Sequence, residues 1–257
     1  MDNDLVLVIG SKPDAFFPNI TPKTIYVANG AAERAIMFKE KSPFTKIISV
    51  TGEVALGVEQ VRSKIEKLKP NEILSYNGNI QLEKFFDKKW INKVHFRFLE
   101  KKGLDLQKKF YSGFTLRVAD LGLVFGSGNV IFGVLRLIYA VLIKKKPPMG
   151  LTTGCLSILI ALIENLNSKI LVTGIGLEGG NHFYEYKDQK VENRWNFLKI
   201  FRSKAYNHQF PAYRGWTDLF LIKRLPEKFK SRILTTDFNF SQKANIKLFK
   251  NFSNEKF

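Results

Sequence analysis

The sequence predicts an α/β fold built on a Rossmann-like, mostly parallel sheet with helices on both faces. Short runs of branched apolar residues recur at 5–9, 24–29, 46–50 and 72–76. Between the last two, Val58 to Leu68 has helical spacing, with Val61, Ile65 and Leu68 on one side and charges on the other. Apolar strands alternating with amphipathic helices are the pattern of strands buried on both faces.

The elements follow in order. Leu5 to Ile9 is the first strand, Thr24 to Asn29 the second, Lys46 to Val50 the third and Glu72 to Tyr76 the fourth. Cys155 to Leu166 is an apolar helix, Lys169 to Gly174 a further strand, and Trp216 to Leu225 a closing helix. There is no internal repeat. At 257 residues and 45% hydrophobic, the chain can bury one large core. Residues 1–225 are expected to form one domain, with a smaller lid or acceptor region at 95–148.

Ala119 to Ile143 is apolar over about the length of a membrane span. It contains Asp120, Asn129 and Arg136, however, and Lys144-Lys145-Lys146-Pro147-Pro148 follows. An arginine in a spanning helix costs about several kcal/mol, so a buried or interfacial helix is expected. Pro226 ends the closing helix and begins a basic, aromatic tail, 226–257, in which Lys228, Lys230, Arg232, Lys243, Lys247 and Lys250 alternate with Phe229, Phe238, Phe240, Leu248 and Phe249. Such a tail suits anionic lipid and equally suits single-stranded nucleic acid.

Forty-one Lys and Arg against 23 Asp and Glu give a formal charge of +18, which attracts nucleic acid, anionic membrane surfaces and acidic glycans. Charge does not choose among these, and a solvated basic surface is the plain alternative. The chain lacks an RNP sequence and a helix-turn-helix pattern, which weighs against nucleic acid as the main partner. The lone Cys155 excludes an intramolecular disulfide framework and fits a reducing compartment. Met1-Asp2-Asn3-Asp4 enters the first strand without the basic region of a signal peptide. The expected location is the cytoplasm, peripheral at the inner face of the membrane.

The usual signatures of nucleotide hydrolysis, zinc chemistry and serine hydrolysis are missing: no Gly-rich Lys-Ser/Thr loop, no paired Cys/His spacing, no Gly-x-Ser-x-Gly elbow. Asp2-Asn3-Asp4 spells a metal-binding Asp-x-Asp, but it precedes the first strand and is read as a solvated terminus. No metal and no cofactor is expected.

Three pieces remain as candidates. The turn Gly10-Ser11-Lys12-Pro13 follows the first strand and Asn29-Gly30 the second; small residues at carboxyl ends of parallel strands let backbone amides approach a phosphate or nucleoside. The third lies between Met149 and Tyr186. Thr152-Thr153-Gly154 opens the apolar helix, offering hydroxyls and unpaired N–H groups to an anion, although an ordinary helix cap needs only one of the threonines. Val172-Thr173-Gly174-Ile175-Gly176 then gives a strand and turn, and Gly179-Gly180-Asn181-His182-Phe183-Tyr184-Glu185 a loop.

This arrangement resembles the sialyltransferases, bacterial family 42 and, more distantly, animal family 29. There a Ser/Thr-Ser/Thr-Gly helix start precedes an apolar helix, a strand ending in glycine, and a loop rich in aromatics or histidine. The likeness spans roughly 5–225, with 148–186 its specific part. It implies the single-sheet variant of the GT-A glycosyltransferase fold and a metal-independent transferase using a CMP-linked sugar donor. By that resemblance Gly10, Ser11 and Asn29 contact the cytidine nucleotide, Thr152, Thr153 and Gly154 hold the donor carboxylate and phosphate, and Tyr184 donates to the leaving phosphate. A histidine then deprotonates the acceptor hydroxyl.

Of the three histidines, His95 lies in an alternating strand-like stretch and is structural. His208, ahead of Trp216-Thr217-Asp218, resembles the family's base, with His182 beside Tyr184 as its rival. Lys12 and Leu177-Glu178 depart from the family pattern at the first turn and at a phosphate ligand. The donor sugar is sialic acid or a related ulosonic acid such as Kdo, and the acceptor a surface glycan or glycolipid. Two other readings stay open: a nucleic-acid-binding protein, and a metal- and NTP-dependent pyrophosphokinase-like enzyme on a related scaffold.

Overall fold

The computed structural model describes residues 4–12, 15–77, 80–99, 103–125, 130–143, 145, 148, 150–177 and 211–249. Eight strands form one sheet: β1 (Leu5–Ile9), β2 (Thr24–Ala28), β3 (Lys46–Thr51), β4 (Glu72–Ser75), β5 (His95–Phe98), β6 (Lys169–Thr173), β7 (Ile233–Thr235) and β8 (Lys247–Leu248). Their order is β5-β4-β3-β2-β1-β6-β7-β8, and every neighbouring pair is parallel. The expected α/β arrangement is present.

Alternate side chains along each central strand enter different cores, as a two-residue period requires. Leu5, Leu7 and Ile9 of β1 join Ile25, Val27, Ile47 and Ile73 in one. Val6 and Val8 join Tyr26, Ile48, Val50 and Leu74 in the other. The first core is closed by α1 (Ile36–Lys41), α2 (Glu53–Leu56), α3 (Glu59–Leu68) and α4 (Lys88–Ile91). In α3 the buried residues are Val61, Ile65 and Leu68, the predicted face.

The second core is closed by α5 (Gly103–Gln107), α6 (Gly113–Val118), α9 (Thr153–Glu164), α10 (Pro211–Lys223) and α12 (Phe238–Ala244). Every residue of α9 from Cys155 to Leu162 is buried, as befits a helix apolar all round.

The tail predicted from 226 does not stand apart from the domain over its described part. It supplies α11 (Glu227–Lys230), β7, α12 and β8, two of these being strands of the same sheet, and Phe240 is 2% exposed within the core. The physical reason is length. Strands of three and two residues are too short for a periodicity to appear in the sequence. The lid region likewise begins with a strand of the sheet, β5, and continues as helices.

The described part of Ala119 to Ile143 comprises a short 3₁₀ turn (Ala119–Leu121), α7 (Gly122–Phe125), α8 (Val130–Ile138) and a π-helical turn (Tyr139–Ile143). Asp120 is buried and paired with Arg117 at 2.9 Å, which ties the first of these pieces to the domain. Among the described residues no helix is long and apolar enough to cross a membrane.

Candidate functional site

Strand order reverses between β1 and β6: β2 to β5 extend to one side of β1, β6 to β8 to the other. In open parallel sheets ligands bind outside the carboxyl ends of the strands at such a reversal. Gly10 directly follows β1 there and Gly174 directly follows β6, and their backbones touch. Gly10 N–H donates to the Thr173 carbonyl at 2.8 Å, and Lys12 N–H to the Gly174 carbonyl at 2.7 Å. A Cβ on Gly10 would lie 2.3 Å from the Gly174 oxygen, and one on Gly174, whose φ is +67°, 2.7 Å from the Gly10 oxygen. Side chains are excluded at both positions.

Beyond Gly10 the described residues run without a helix until β2. The Phe16 carbonyl accepts from Thr173 Oγ1 at 2.6 Å and from Thr236 Oγ1 at 3.1 Å. Lys12 pairs with Asp237, whose other oxygen caps α12 by accepting from Phe240 N–H at 2.8 Å. The first loop therefore crosses the carboxyl ends of β6 and β7. A cleft of about 230 Å³ remains between it and residues 236–239. Lys12, a departure at the sequence level, is occupied by its own carboxylate partner.

A line of contacts runs from the β2 turn to the start of α9. Asn29 sits at φ 47°, in the left-handed region that asparagine tolerates, and its Oδ1 accepts from Thr51 Oγ1 at 3.3 Å. Tyr76 N–H donates to the Thr51 carbonyl at 3.3 Å. The Tyr76 hydroxyl then meets Thr153 Oγ1 at 2.9 Å. Tyr76 closes on Gly52, where a Cβ would be 2.6 Å from the phenol ring.

At the start of α9 Thr152 holds the cap position, but its hydroxyl turns away from the helix. Both its N–H (2.8 Å) and its hydroxyl (2.6 Å) donate to the carboxylate of Asp218, a residue of α10 that is 2% exposed. The Cys155 thiol donates to the same carboxylate. Burial, reinforced by Asp218, pushes this thiol well above its ordinary range, so it is a neutral packing group and not a nucleophile. A negative charge thus already faces the positive end of the helix.

The N–H groups of Thr153, Gly154 and Cys155, in the first turn, have no acceptor within the helix. Ile175 links this helix start to the first turn: it lies 3.5 Å from where a Cβ of Gly154 would be and 2.6 Å from one on Gly10. Near Asp218 the Tyr111 hydroxyl is buried without a hydrogen-bond partner among the described residues, and burial raises its pKa.

The candidate residues Gly10, Ser11 and Asn29 therefore follow adjacent strands at one sheet edge, and Thr152, Thr153 and Gly154 reach that edge through Tyr76 and Ile175. His95 is paired in register with Glu72, the first residue of β4, and so lies at the opposite, amino edge. His182, Tyr184 and His208 lie outside the described residues. Thr217-Asp218, expected at a helix start, falls inside α10. Sequence reasoning missed Thr51 and Tyr76 as links and Asp218 as the acceptor at α9. For Asp218 a signal was present, an acid directly before the apolar run Leu219–Ile222. Among the described residues no group of three His, Cys, Asp or Glu is placed to hold a metal. No protein-family model, curated protein or solved structure matches the chain.

Proposed function

We propose that this protein transfers a sugar from a CMP-linked donor to a glycan hydroxyl, without a metal ion. The observation that carries the proposal is the meeting, at one sheet edge, of three pieces far apart in the chain: the Gly10-Ser11 turn, the Asn29 turn and the Thr152–Gly154 helix start. The resemblance to sialyltransferases requires these to surround one nucleotide.

The geometry refines their roles. Thr152 spends its proton on Asp218, so it sets the position of the helix start. The N–H groups of Thr153 and Gly154 and the hydroxyl shared by Thr153 and Tyr76 are the donors that suit an anionic donor group. Gly10, Ser11 and Asn29 take the cytidine nucleotide. His208 removes the proton of the acceptor hydroxyl as that oxygen bonds to the anomeric carbon and the bond from this carbon to the CMP phosphate oxygen breaks. Tyr184 donates to the departing phosphate, and His182 binds donor or acceptor. The sugar is sialic acid or a related ulosonic acid such as Kdo, and the acceptor a surface glycan or glycolipid at the cytoplasmic face of the membrane.

His208→Ala tests the assignment: transfer is lost while CMP binding stays, because a base acts on the acceptor side. If His208→Ala keeps transfer, the base is His182. The net charge of +18 favours nucleic-acid binding as the second reading, and a salt-dependent gel shift in the absence of any transfer supports it instead.

A further inference from the structure

The geometry points to α8 and the turn that follows it as a helix that docks, lying flat, on an anionic lipid bilayer. Five aliphatic side chains there face solvent: Ile131 at 75% exposure, Val134 at 39%, Leu135 at 53%, Ile138 at 44% and Leu142 at 67%. On a helix these positions fall within an arc of roughly 100°. Gly133 is buried and Leu137 half-buried on the opposite side of the helix, and α8 packs on α7, which in turn packs on α10. A contiguous aliphatic stripe in water, unlike scattered apolar residues, marks a contact surface.

Charge names the occupant. The sequence continues directly into Lys144-Lys145-Lys146, with Lys145 exposed, and the whole chain carries +18. Aliphatic side chains beside lysines match acyl chains beneath anionic headgroups. A second copy of the chain would bring two lysine triplets together. Among the described residues this stripe offers nucleic acid no exposed aromatic to stack on. Spanning needs about 20 apolar residues, and α8 with its π turn supplies nine and five. The inference is independent of the transferase reading, and its test measures partition and not transfer.

The experiment is co-sedimentation of the full chain with phosphatidylcholine vesicles, with and without phosphatidylglycerol. The chain is expected to partition into the anionic vesicles about tenfold or more over the neutral ones, less so at high salt. The double variant Leu135→Glu/Ile138→Glu, and separately Lys144→Gln/Lys145→Gln/Lys146→Gln, return partition to the neutral level. Both keep the wild-type melting temperature, because the altered aliphatic side chains and Lys145 are exposed. Equal partition into both vesicles, lipid binding retained by the double variant, or a lipid-indifferent dimer that the double variant dissociates would each overturn the proposal.

Discussion

The Asp218 carboxylate accepts both protons that Thr152 can donate, the backbone N–H at 2.8 Å and the hydroxyl at 2.6 Å, across 66 residues of chain. The two residues join α10 to the start of α9, the most buried of the described helices. Asp218→Ala leaves these two donors and the Cys155 thiol without their acceptor in the core and removes a negative charge that complements the positive end of the helix dipole. It is expected to cost about 2–4 kcal/mol in urea unfolding, with Asp218→Asn recovering part because one carbonyl oxygen remains.

The other end of α9 is held by Arg232, whose guanidinium donates to the carbonyls of Leu162 at 3.2 Å, Ser168 at 3.1 Å, and Asn165. A cation on final-turn carbonyls satisfies acceptors that the helix leaves open. Arg232→Met is expected to lower stability by about 2 kcal/mol, and hydrogen exchange should localise the loss to the last turn of α9.

Gly10 and Gly174 test the close approach of β1 and β6. Gly10→Ala drives a methyl to 2.3 Å from a carbonyl oxygen, and Gly174→Ala adds the strain of φ +67°. Either should lose roughly 3 kcal/mol or more, or fail to fold. Gly113→Ala, where a Cβ meets nothing within 4 Å, serves as the control and should be neutral or slightly stabilising in the same assay.

These contacts explain what the sequence made legible. Strands β1 to β4 and β6, and helices α3 and α9, are long apolar or periodic runs, and their patterns survive into the structure almost residue for residue. Helix α10 already includes Pro211, five residues before the expected Trp216, because the apolar pattern begins only at Trp216. Ala119 to Ile143 looked uniform by composition, whereas its described residues divide into 3₁₀, α and π-helical stretches. In the site, the turns at Gly10 and Asn29 were readable because small residues and asparagine mark carboxyl-end turns. The bonds from Asp218 to Thr152 and from Tyr76 to Thr153 were not, since each joins residues more than sixty positions apart and depends on how α10 and β4 dock around α9.

A charged cluster around the buried Glu72 at the amino edge of the sheet gives a pH prediction. Glu72, 3% exposed, binds Lys46 at 2.9 Å and pairs with Arg97, which also donates to Glu164 at 2.6 Å. Burial opposes ionisation of Glu72, but the hydrogen bonds from Lys46 and Arg97 outweigh it and hold the carboxyl below its usual value. A lowered folded pKa means stability that is present above about pH 4.3 and is lost as pH falls through the folded value. The urea midpoint should fall below about pH 4 in the wild type. Glu72→Gln should flatten that fall and cost about 1–3 kcal/mol at pH 7.

The central claim, a metal-independent nucleotide site at the edge shared by Gly10, Asn29 and Thr153, is tested most directly by titrating CMP into the protein in EDTA while following the melting temperature. CMP is expected to raise it without magnesium. Asn29→Asp, which keeps the left-handed turn but sets a negative charge beside the nucleotide, should abolish the rise. ATP and GTP, with or without magnesium, should leave it unchanged. No response to CMP, or a magnesium-dependent response to ATP or GTP, would contradict the account.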